Sequence, residues 1–318
     1  MKALTVDAQG LLSLQELPIP SYGACQALVK MRSCGVCSGT DMKLIHHTFK
    51  NFDTYPAILG HEGVGEVVEI GEKVENLRRG DLVLLPFLEG KIGEYTPGWG
   101  AYSEYALVGD AEAYIRCGMG PGTKQWSEGY LAQTVLGPKD RVNPVEAAMI
   151  VTFREVLSAI RRFGFQPNQN IVVLGAGPVG LCFTRFLKLL GIKTVITTDI
   201  LDEKVETALE MGADYAFNSA KCDIIHEVRT LFPDGVDAVV DAVGVNALLN
   251  QAMQMICSHG KICGYGISPK LSVNLDWSNA PYNWSLHFIQ WPSKAEEAQA
   301  HAQIMAWINM KVLNPMDF

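Results

Sequence analysis

Long apolar runs, an excess of basic residues and a regular cysteine pattern are all missing from this sequence of 318 residues. No apolar stretch approaches the ~20 residues that a membrane-spanning helix needs, so no membrane partner is expected. The N-terminal segment carries a charge at Asp7 and has no apolar centre, so no signal peptide is expected. The net charge of −8 argues against nucleic acid as a partner, because nucleic acid requires a basic face.

The eight cysteines are sparse and irregularly spaced for a chain of this length. This usage indicates a reducing, cytoplasmic location with mostly buried thiols and one or two cysteines available for a metal. Cys34 and Cys37 form a C-x-x-C motif, but no second pair matches it, so a structural zinc ribbon is not expected. A thioredoxin-like redox pair is not expected either, because we recognise no strand followed by a helix around these cysteines.

The composition and the change of pattern along the chain predict a two-domain globular protein. Hydrophobic residues make up 48% of the chain and charged residues 19%, which is typical of soluble globular proteins. Strand and turn signals continue to about residue 110 and predict a small closed β domain. From about residue 145 strands alternate with helices, which predicts the α/β Rossmann class, a doubly wound parallel sheet.

A glycine-rich motif lies between the apolar strand predicted at 171–174 and the helix that follows it. The motif reads G-x-G-x-x-G at Gly175, Gly177 and Gly180, with Pro178 and Val179 before the last glycine. In this context the first glycine permits a tight turn, the second lets a pyrophosphate approach, and the third lets the helix pack on the strand. The helix N-terminus offers its N–H groups to phosphate. We therefore predict a dinucleotide site rather than an ordinary glycine-rich turn.

A second strand, predicted at 194–198, ends in Asp199, about 20 residues after the glycine motif. A carboxylate at this place accepts hydrogen bonds from the ribose hydroxyls and repels a 2′-phosphate, so it predicts NAD rather than NADP. The alternative is a solvated carboxylate at the end of a strand.

Two places in the first half carry candidate metal ligands, namely Cys37 and the neighbouring pair His61 and Glu62. A thiolate, an imidazole and a carboxylate together suit a catalytic zinc, and catalytic sites leave one position open for substrate. Taken alone, Cys37 is more simply explained as a buried thiol, and His61 as a hydrogen-bonded core histidine.

The order of these motifs resembles the medium-chain dehydrogenase/reductase family, and within it the zinc-dependent alcohol, sorbitol and threonine dehydrogenases. The resemblance is carried by residues 34–41, 60–71, 80–83, 175–180 and 237–244. It implies a GroES-like β-barrel catalytic domain over 1–145, a Rossmann NAD-binding domain over 146–290, and a C-terminal helix in 291–318 that returns toward the catalytic domain.

The resemblance also implies an NAD-dependent alcohol dehydrogenase that oxidises a secondary alcohol or polyol with the help of one catalytic zinc. Cys37 and His61 would bind the zinc, and Glu62 would bind it or lie directly behind it. Thr40 would take the proton of the alcohol, and Val243 would join the cofactor-binding residues. The partner is then a small alcohol or polyol, and the resemblance implies a homodimer or homotetramer.

The chain departs from the family pattern in four places. One extra residue separates Cys37 from Thr40, and Val151 stands where the family usually has a glutamate or cysteine ligand. Glu155 lies one helical turn later and could replace that ligand, the alternative being a carboxylate near solvent or the nicotinamide. Residues 86–100 contain no cysteine, so no structural zinc is expected. Family members usually continue beyond the position of Phe318, so we expect their closing segment to be either truncated or replaced here.

Two other functions are compatible with these departures. One is a zinc-free NAD(P)H-dependent reductase of enones or quinones with the same fold, which the valine at position 151 favours. The other is a catalytically inactive nucleotide-binding paralogue. The presence of both Cys37 and His61–Glu62 argues against the reductase, because a metal-free enzyme needs neither.

Overall fold

A computed structural model describes residues 1–137 and 142–318 of the chain. Over these residues the chain forms two compact units, residues 1–154 with 293–317 and residues 155–292 with Phe318. The domain boundaries that the resemblance implies, after residues 145 and 290, remain predictions. None of the described helices combines the length and apolar character that crossing a membrane requires.

The first unit consists largely of short strands in two sheets. One sheet contains β1 (Lys2–Val6), β2 (Leu12–Glu16), β4 (Ala57–Ile58) and β7 (Thr96–Pro97), in the order β2-β1-β4-β7. The other contains β3 (Gln26–Gly35), β5 (Glu62–Ile70), β6 (Leu82–Leu84), β8 (Tyr105–Gly109) and β9 (Val135–Leu136), in the order β8-β3-β5-β6-β9. Branched side chains suit such pleated, packed surfaces, and one core cluster contains Val29, Val67, Val83 and Val108.

Helices interrupt the first unit at places where strands and turns alone were predicted. Directly after β3 the chain forms α1 (Ser38–Ile45), with Cys37 at its N-cap. The expectation that no strand and helix flank the C-x-x-C motif is therefore wrong. The helix is only two turns long and few of its side chains are apolar, so its sequence carries little periodicity. The other helices with residues in this unit are α2 (Ala111–Arg116), α3 (Gly129–Ala132), α4 (Pro144–Phe163) and α9 (Lys294–Asn309).

The second unit is a parallel sheet with helical connections. Its strands are β10 (Asn170–Leu174), β11 (Thr194–Asp199), β12 (Tyr215–Asn218), β13 (Val236–Asp241), β14 (Ile256–Gly264) and β15 (Trp284–Phe288), in the order β12-β11-β10-β13-β14-β15. Its remaining helices are α5 (Pro178–Leu189), α6 (Asp202–Glu210), α7 (Ile224–Leu231) and α8 (Ala247–Met255). The central strands β10 and β13 are almost wholly buried, as their apolar sequences predict.

The strand order reverses between β10 and β13. From β10 the chain continues through β11 to β12 on one side, and it then crosses to β13, β14 and β15 on the other. In open parallel sheets, ligands bind beyond the carboxyl ends of the strands at such a reversal. The glycine motif follows β10 and the loop containing Val243 follows β13, so both lie at this place.

Candidate metal centre and dinucleotide-binding turn

Antiparallel pairing brings the three metal-ligand candidates of the first unit together. In the register of β3 with β5, Gly35 at the end of β3 stands opposite Glu62 at the start of β5. Cys37 follows β3 and His61 precedes β5, so both lie beyond the same end of the strand pair. One ligand atom from each of Cys37, His61 and Glu62 lies within 4.8 Å of the others.

The chemistry of these three side chains fits a zinc ion. Sulfur, imidazole nitrogen and carboxylate oxygen are the usual protein ligands of zinc, and three of them leave one tetrahedral position for substrate. Burial lowers the pKa of His61 to about 4, and the positive charge of Lys294 acts in the same direction. The imidazole is therefore neutral near pH 7, which is the form that binds a metal.

Asp41 holds the backbone of Cys37 and lies near the ring of His61. Its Oδ2 accepts hydrogen bonds from the Cys37 N–H at 3.1 Å and from the Tyr102 hydroxyl at 2.7 Å. Its Oδ1 lies 3.9 Å from Nδ1 of His61. Such carboxylates orient a ligating histidine and raise its basicity. Asp41 and Tyr102 have no role that the sequence predicts, because nothing local shows that residues so far apart in the chain meet.

Glu62 is held from two sides. The hydroxyl of Thr152 on α4 donates a hydrogen bond to its Oε1 at 2.8 Å. Its Oε2 lies close to Gly35, where an added Cβ would come within 2.2 Å of that oxygen. The neighbouring Val151 belongs instead to an apolar cluster with Leu85. The helix therefore presents Thr152 to Glu62, and not the position where the family pattern places a ligand.

Thr40 and Glu155 are the other two residues that the sequence assigns to the metal centre. Thr40 is buried in the first turn of α1, next to Cys37, and its part in proton transfer remains a prediction. Glu155 is the first residue of the second unit, so its part as a ligand also remains a prediction. Trp99, which no motif marks, lies with its ring centroid 5.4 Å from that of His61.

The glycine motif of the second unit has the shape that a phosphate group requires. Gly175 has a φ of +96°, and a Cβ at Gly180 would lie 1.9 Å from the carbonyl oxygen of Gly175. Neither position tolerates a side chain. A Cβ at Gly177 would meet no atom within 4 Å, so the space beside it is open. Helix α5 begins at Pro178, and its first N–H groups suit an anion.

Asp199 and Val243 flank the glycine turn. The carboxylate of Asp199 accepts hydrogen bonds from the N–H of Ala176 at 2.7 Å and from the N–H of Leu201 at 3.1 Å. Val243 is 48% exposed, and a Cβ at Gly175 would lie 2.5 Å from its Cγ2. A carboxylate, open space and a half-exposed apolar side chain thus meet around the turn, and this combination fits an adenine dinucleotide.

Comparison with known proteins gives the class to which this fold and these residues belong. Residues 23–146 match the family model of the alcohol dehydrogenase GroES-like domain, and residues 178–290 match that of the zinc-binding dehydrogenases. An alcohol dehydrogenase of Cupriavidus necator is 30% identical over 287 residues, which cover 84% of this chain and 76% of the relative. A sorbitol dehydrogenase of Bacillus subtilis is 28% identical, with 89% and 78% covered.

The chain therefore belongs to the zinc-dependent alcohol and polyol dehydrogenases of the medium-chain dehydrogenase/reductase family. An alcohol dehydrogenase from Thermus sp. ATN1 superposes with a TM-score of 0.75 at 22% identity, covering 99% of this chain and 90% of that one. Galactitol-1-phosphate dehydrogenase from Escherichia coli gives 0.76 at 20% identity, with 97% and 90% covered. The predicted family, enzyme class and fold class, a GroES-like domain with a Rossmann domain, are confirmed.

Proposed function

We propose that this protein catalyses the reversible oxidation of a secondary alcohol or polyol to a ketone, with NAD as oxidant and zinc as the catalytic metal. The observation that carries the proposal is the convergence of Cys37, His61 and Glu62 within 4.8 Å. Relatives named alcohol dehydrogenase and sorbitol dehydrogenase support the substrate class. In the overall reaction the alcohol loses a hydride to NAD and a proton to solvent.

Zinc supplies a Lewis acid that lowers the pKa of an alcohol, and NAD supplies the hydride acceptor. Cys37, His61 and Glu62 would hold the zinc ion, which would act on the substrate oxygen as a Lewis acid. Asp41 keeps the His61 ring oriented, and Thr40 takes the hydroxyl proton of the alcohol. Glu155 is the candidate for a further ligand, which the three-residue site does not require.

The dinucleotide is held by the second unit. The N-terminus of α5 and the open side of Gly177 bind the pyrophosphate, together with Pro178 and Val179 at the start of the helix. Asp199 accepts hydrogen bonds from the ribose hydroxyls and disfavours a 2′-phosphate, so NAD is preferred. Val243, whose half-exposed side chain lies beside the turn, would contact the bound cofactor.

The finer parts of the proposal rest on the sequence. We propose one zinc per chain, because residues 86–100 lack the cysteines of a structural zinc lobe. We propose a cytoplasmic location from the cysteine usage, because eight sparse and irregularly spaced cysteines are typical of a protein of a reducing compartment. Assembly as a homodimer or homotetramer is proposed from the family resemblance.

Metal analysis combined with a substrate screen tests the proposal. We expect about one zinc per chain and NADH formation that depends on a secondary alcohol or polyol. A protein that binds no metal and reduces enones with NADH or NADPH would instead be a zinc-free reductase. A protein that binds NAD but turns over neither class of substrate would be an inactive paralogue. Either of these results would overturn the proposal.

A further inference from the structure

We propose that Thr152 is a positioning residue that holds Glu62 as the third protein ligand of the zinc ion. The inference rests on the proposed function, and it assigns a role to a residue outside the motifs of the sequence. It also explains how the site can bind zinc although position 151, where the family usually has a ligand, is a valine.

The first support is the hydrogen bond between these two side chains. The Thr152 hydroxyl donates to Oε1 of Glu62 at 2.8 Å, across 90 positions of sequence. Thr152 is only 5% exposed, so water competes little for this bond. A hydroxyl donor of this kind fixes the rotation of the carboxylate that accepts its hydrogen bond.

The second support is the surface on the opposite side of the carboxylate. Oε2 of Glu62 occupies the space that a side chain at residue 35 would fill, since a Cβ there would lie 2.2 Å from this oxygen. The hydroxyl of Thr152 therefore bounds one oxygen, and the backbone of Gly35 bounds the other. In this position the carboxylate has an oxygen within 4.8 Å of ligand atoms of Cys37 and His61.

The third support is the fixed orientation of α4. Val151 is fully buried in a cluster with Leu85 and Ala132. Arg154 is also fully buried, and it donates hydrogen bonds to the carbonyl oxygen of Ala132 at 2.7 Å and to that of Glu297 at 3.1 Å. These contacts fix the rotation of the helix, so Thr152 faces Glu62 while position 151 faces the apolar cluster. A carboxylate at position 151 would have to leave that cluster to reach a metal.

The test measures zinc affinity by competition with a chelator, and the absorption spectrum of the cobalt(II)-substituted protein. Thr152→Val removes the hydroxyl and keeps the shape, and we expect zinc affinity to fall about 10- to 100-fold with a changed cobalt spectrum. Thr152→Ser keeps the hydroxyl and is expected to retain the affinity and the spectrum of the unmodified protein. Thr5→Val is the matched control, because Thr5 is a buried, hydrogen-bonded threonine of β1.

Gly35→Ala tests the same idea from the other side of the carboxylate. The new Cβ would displace Oε2, so we expect a loss of zinc affinity even though Thr152 is intact. If Thr152→Val does not fold, Thr152→Ala removes the same hydroxyl and is measured in its place, with the same expected loss of zinc affinity. Equal zinc affinity and unchanged cobalt spectra in both variants would overturn the inference. If the unmodified protein itself bound no zinc, the proposed function would fail instead, so the two failures are distinguishable.

Discussion

At the residue scale, the candidate chemistry depends on a few side chains whose neighbours set their protonation state and their position. His61 is neutral because it is buried, and Asp41 lies beside its ring while also holding the backbone of Cys37. Cys34 is the other member of the C-x-x-C motif, and burial raises the pKa of its thiol to about 12. It therefore remains protonated, and of the two cysteines Cys37 is the one in the candidate metal group.

Replacing a metal ligand should separate catalysis from cofactor binding. In Cys37→Ser or His61→Ala we expect the bound zinc and alcohol-dependent turnover to be lost, because each change removes a ligand. NAD affinity, measured by calorimetry, should stay near that of the unmodified protein, because the glycine turn lies in the other unit. Cys34→Ala is the control and should keep its zinc. Equal loss of NAD binding and turnover would contradict this division of roles.

Replacing Asp199 should change cofactor preference. Asp199→Ala removes the carboxylate beside the glycine turn, so we expect the ratio of kcat/KM for NAD to that for NADP to fall. The measurement compares both cofactors at a saturating alcohol concentration. Asp202→Ala removes a nearby carboxylate that binds Lys221, and it should leave the ratio unchanged. An unchanged ratio in Asp199→Ala would show that this carboxylate does not contact the ribose.

At the scale of single elements, the candidate residues lie at or just beyond the ends of strands, and one helix adds a further side chain. Strands β3 and β5 pair so that their ends place Cys37, His61 and Glu62 beside one another, and α4 adds Thr152 from outside the sheet. In the second unit, β10 ends in a turn that admits no side chain at its first and last glycines. Within the first unit, the strand ends place one ligand atom from each of Cys37, His61 and Glu62 within 4.8 Å of the others.

Two alanine substitutions in the glycine turn should have different effects. Gly180→Ala places a Cβ 1.9 Å from the carbonyl oxygen of Gly175, so α5 must shift and we expect lower thermal stability. Gly177→Ala meets no atom within 4 Å and its φ of −68° suits alanine, so stability should be retained. The added methyl group should nevertheless weaken NAD binding, measured by calorimetry, because it fills the proposed pyrophosphate space. Unchanged NAD affinity in Gly177→Ala would place the pyrophosphate elsewhere.

Helix α9 begins with a capping box whose removal should weaken the first unit. The Ser293 hydroxyl accepts a hydrogen bond from the Glu296 N–H at 3.3 Å, and the Glu296 carboxylate accepts one from the Ser293 N–H at 2.9 Å. Ser293→Ala should lower the free energy of unfolding by about 1 kcal/mol, measured in urea. Ser272→Ala, at an exposed serine outside any helix, is the control. Equal stability of the two variants would show that the cap contributes nothing.

At the scale of the whole molecule, the two compact units carry different parts of the proposed reaction. The metal candidates Cys37, His61 and Glu62 belong to the first unit, and the glycine turn with Asp199 belongs to the second. The C-terminal helix α9 belongs to the first unit and binds Arg154 of α4 through the carbonyl oxygen of Glu297. Segments that are distant in sequence therefore build one metal-bearing unit.

Removal of the metal should test this division in the intact protein. Dialysis against a chelator should abolish alcohol oxidation while NAD affinity stays within error, and added zinc should restore the activity. Calorimetric titration with NAD before and after chelation provides the measurement. Loss of NAD binding on chelation would indicate that the two parts of the site do not act separately.

The sequence by itself determined the family, the Rossmann alternation, the glycine turn with Asp199, and the residues Cys37, His61 and Glu62. Each of these features can be recognised from short stretches of sequence, because its physical requirements are local. Examples are a turn without side chains, the end of a strand, and a ligand beside a strand. The tertiary structure alone decided that Asp41 meets Tyr102 and that Thr152 meets Glu62, because these pairs lie 61 and 90 positions apart. Such contacts depend on strand register and helix rotation, which the packing of distant segments sets.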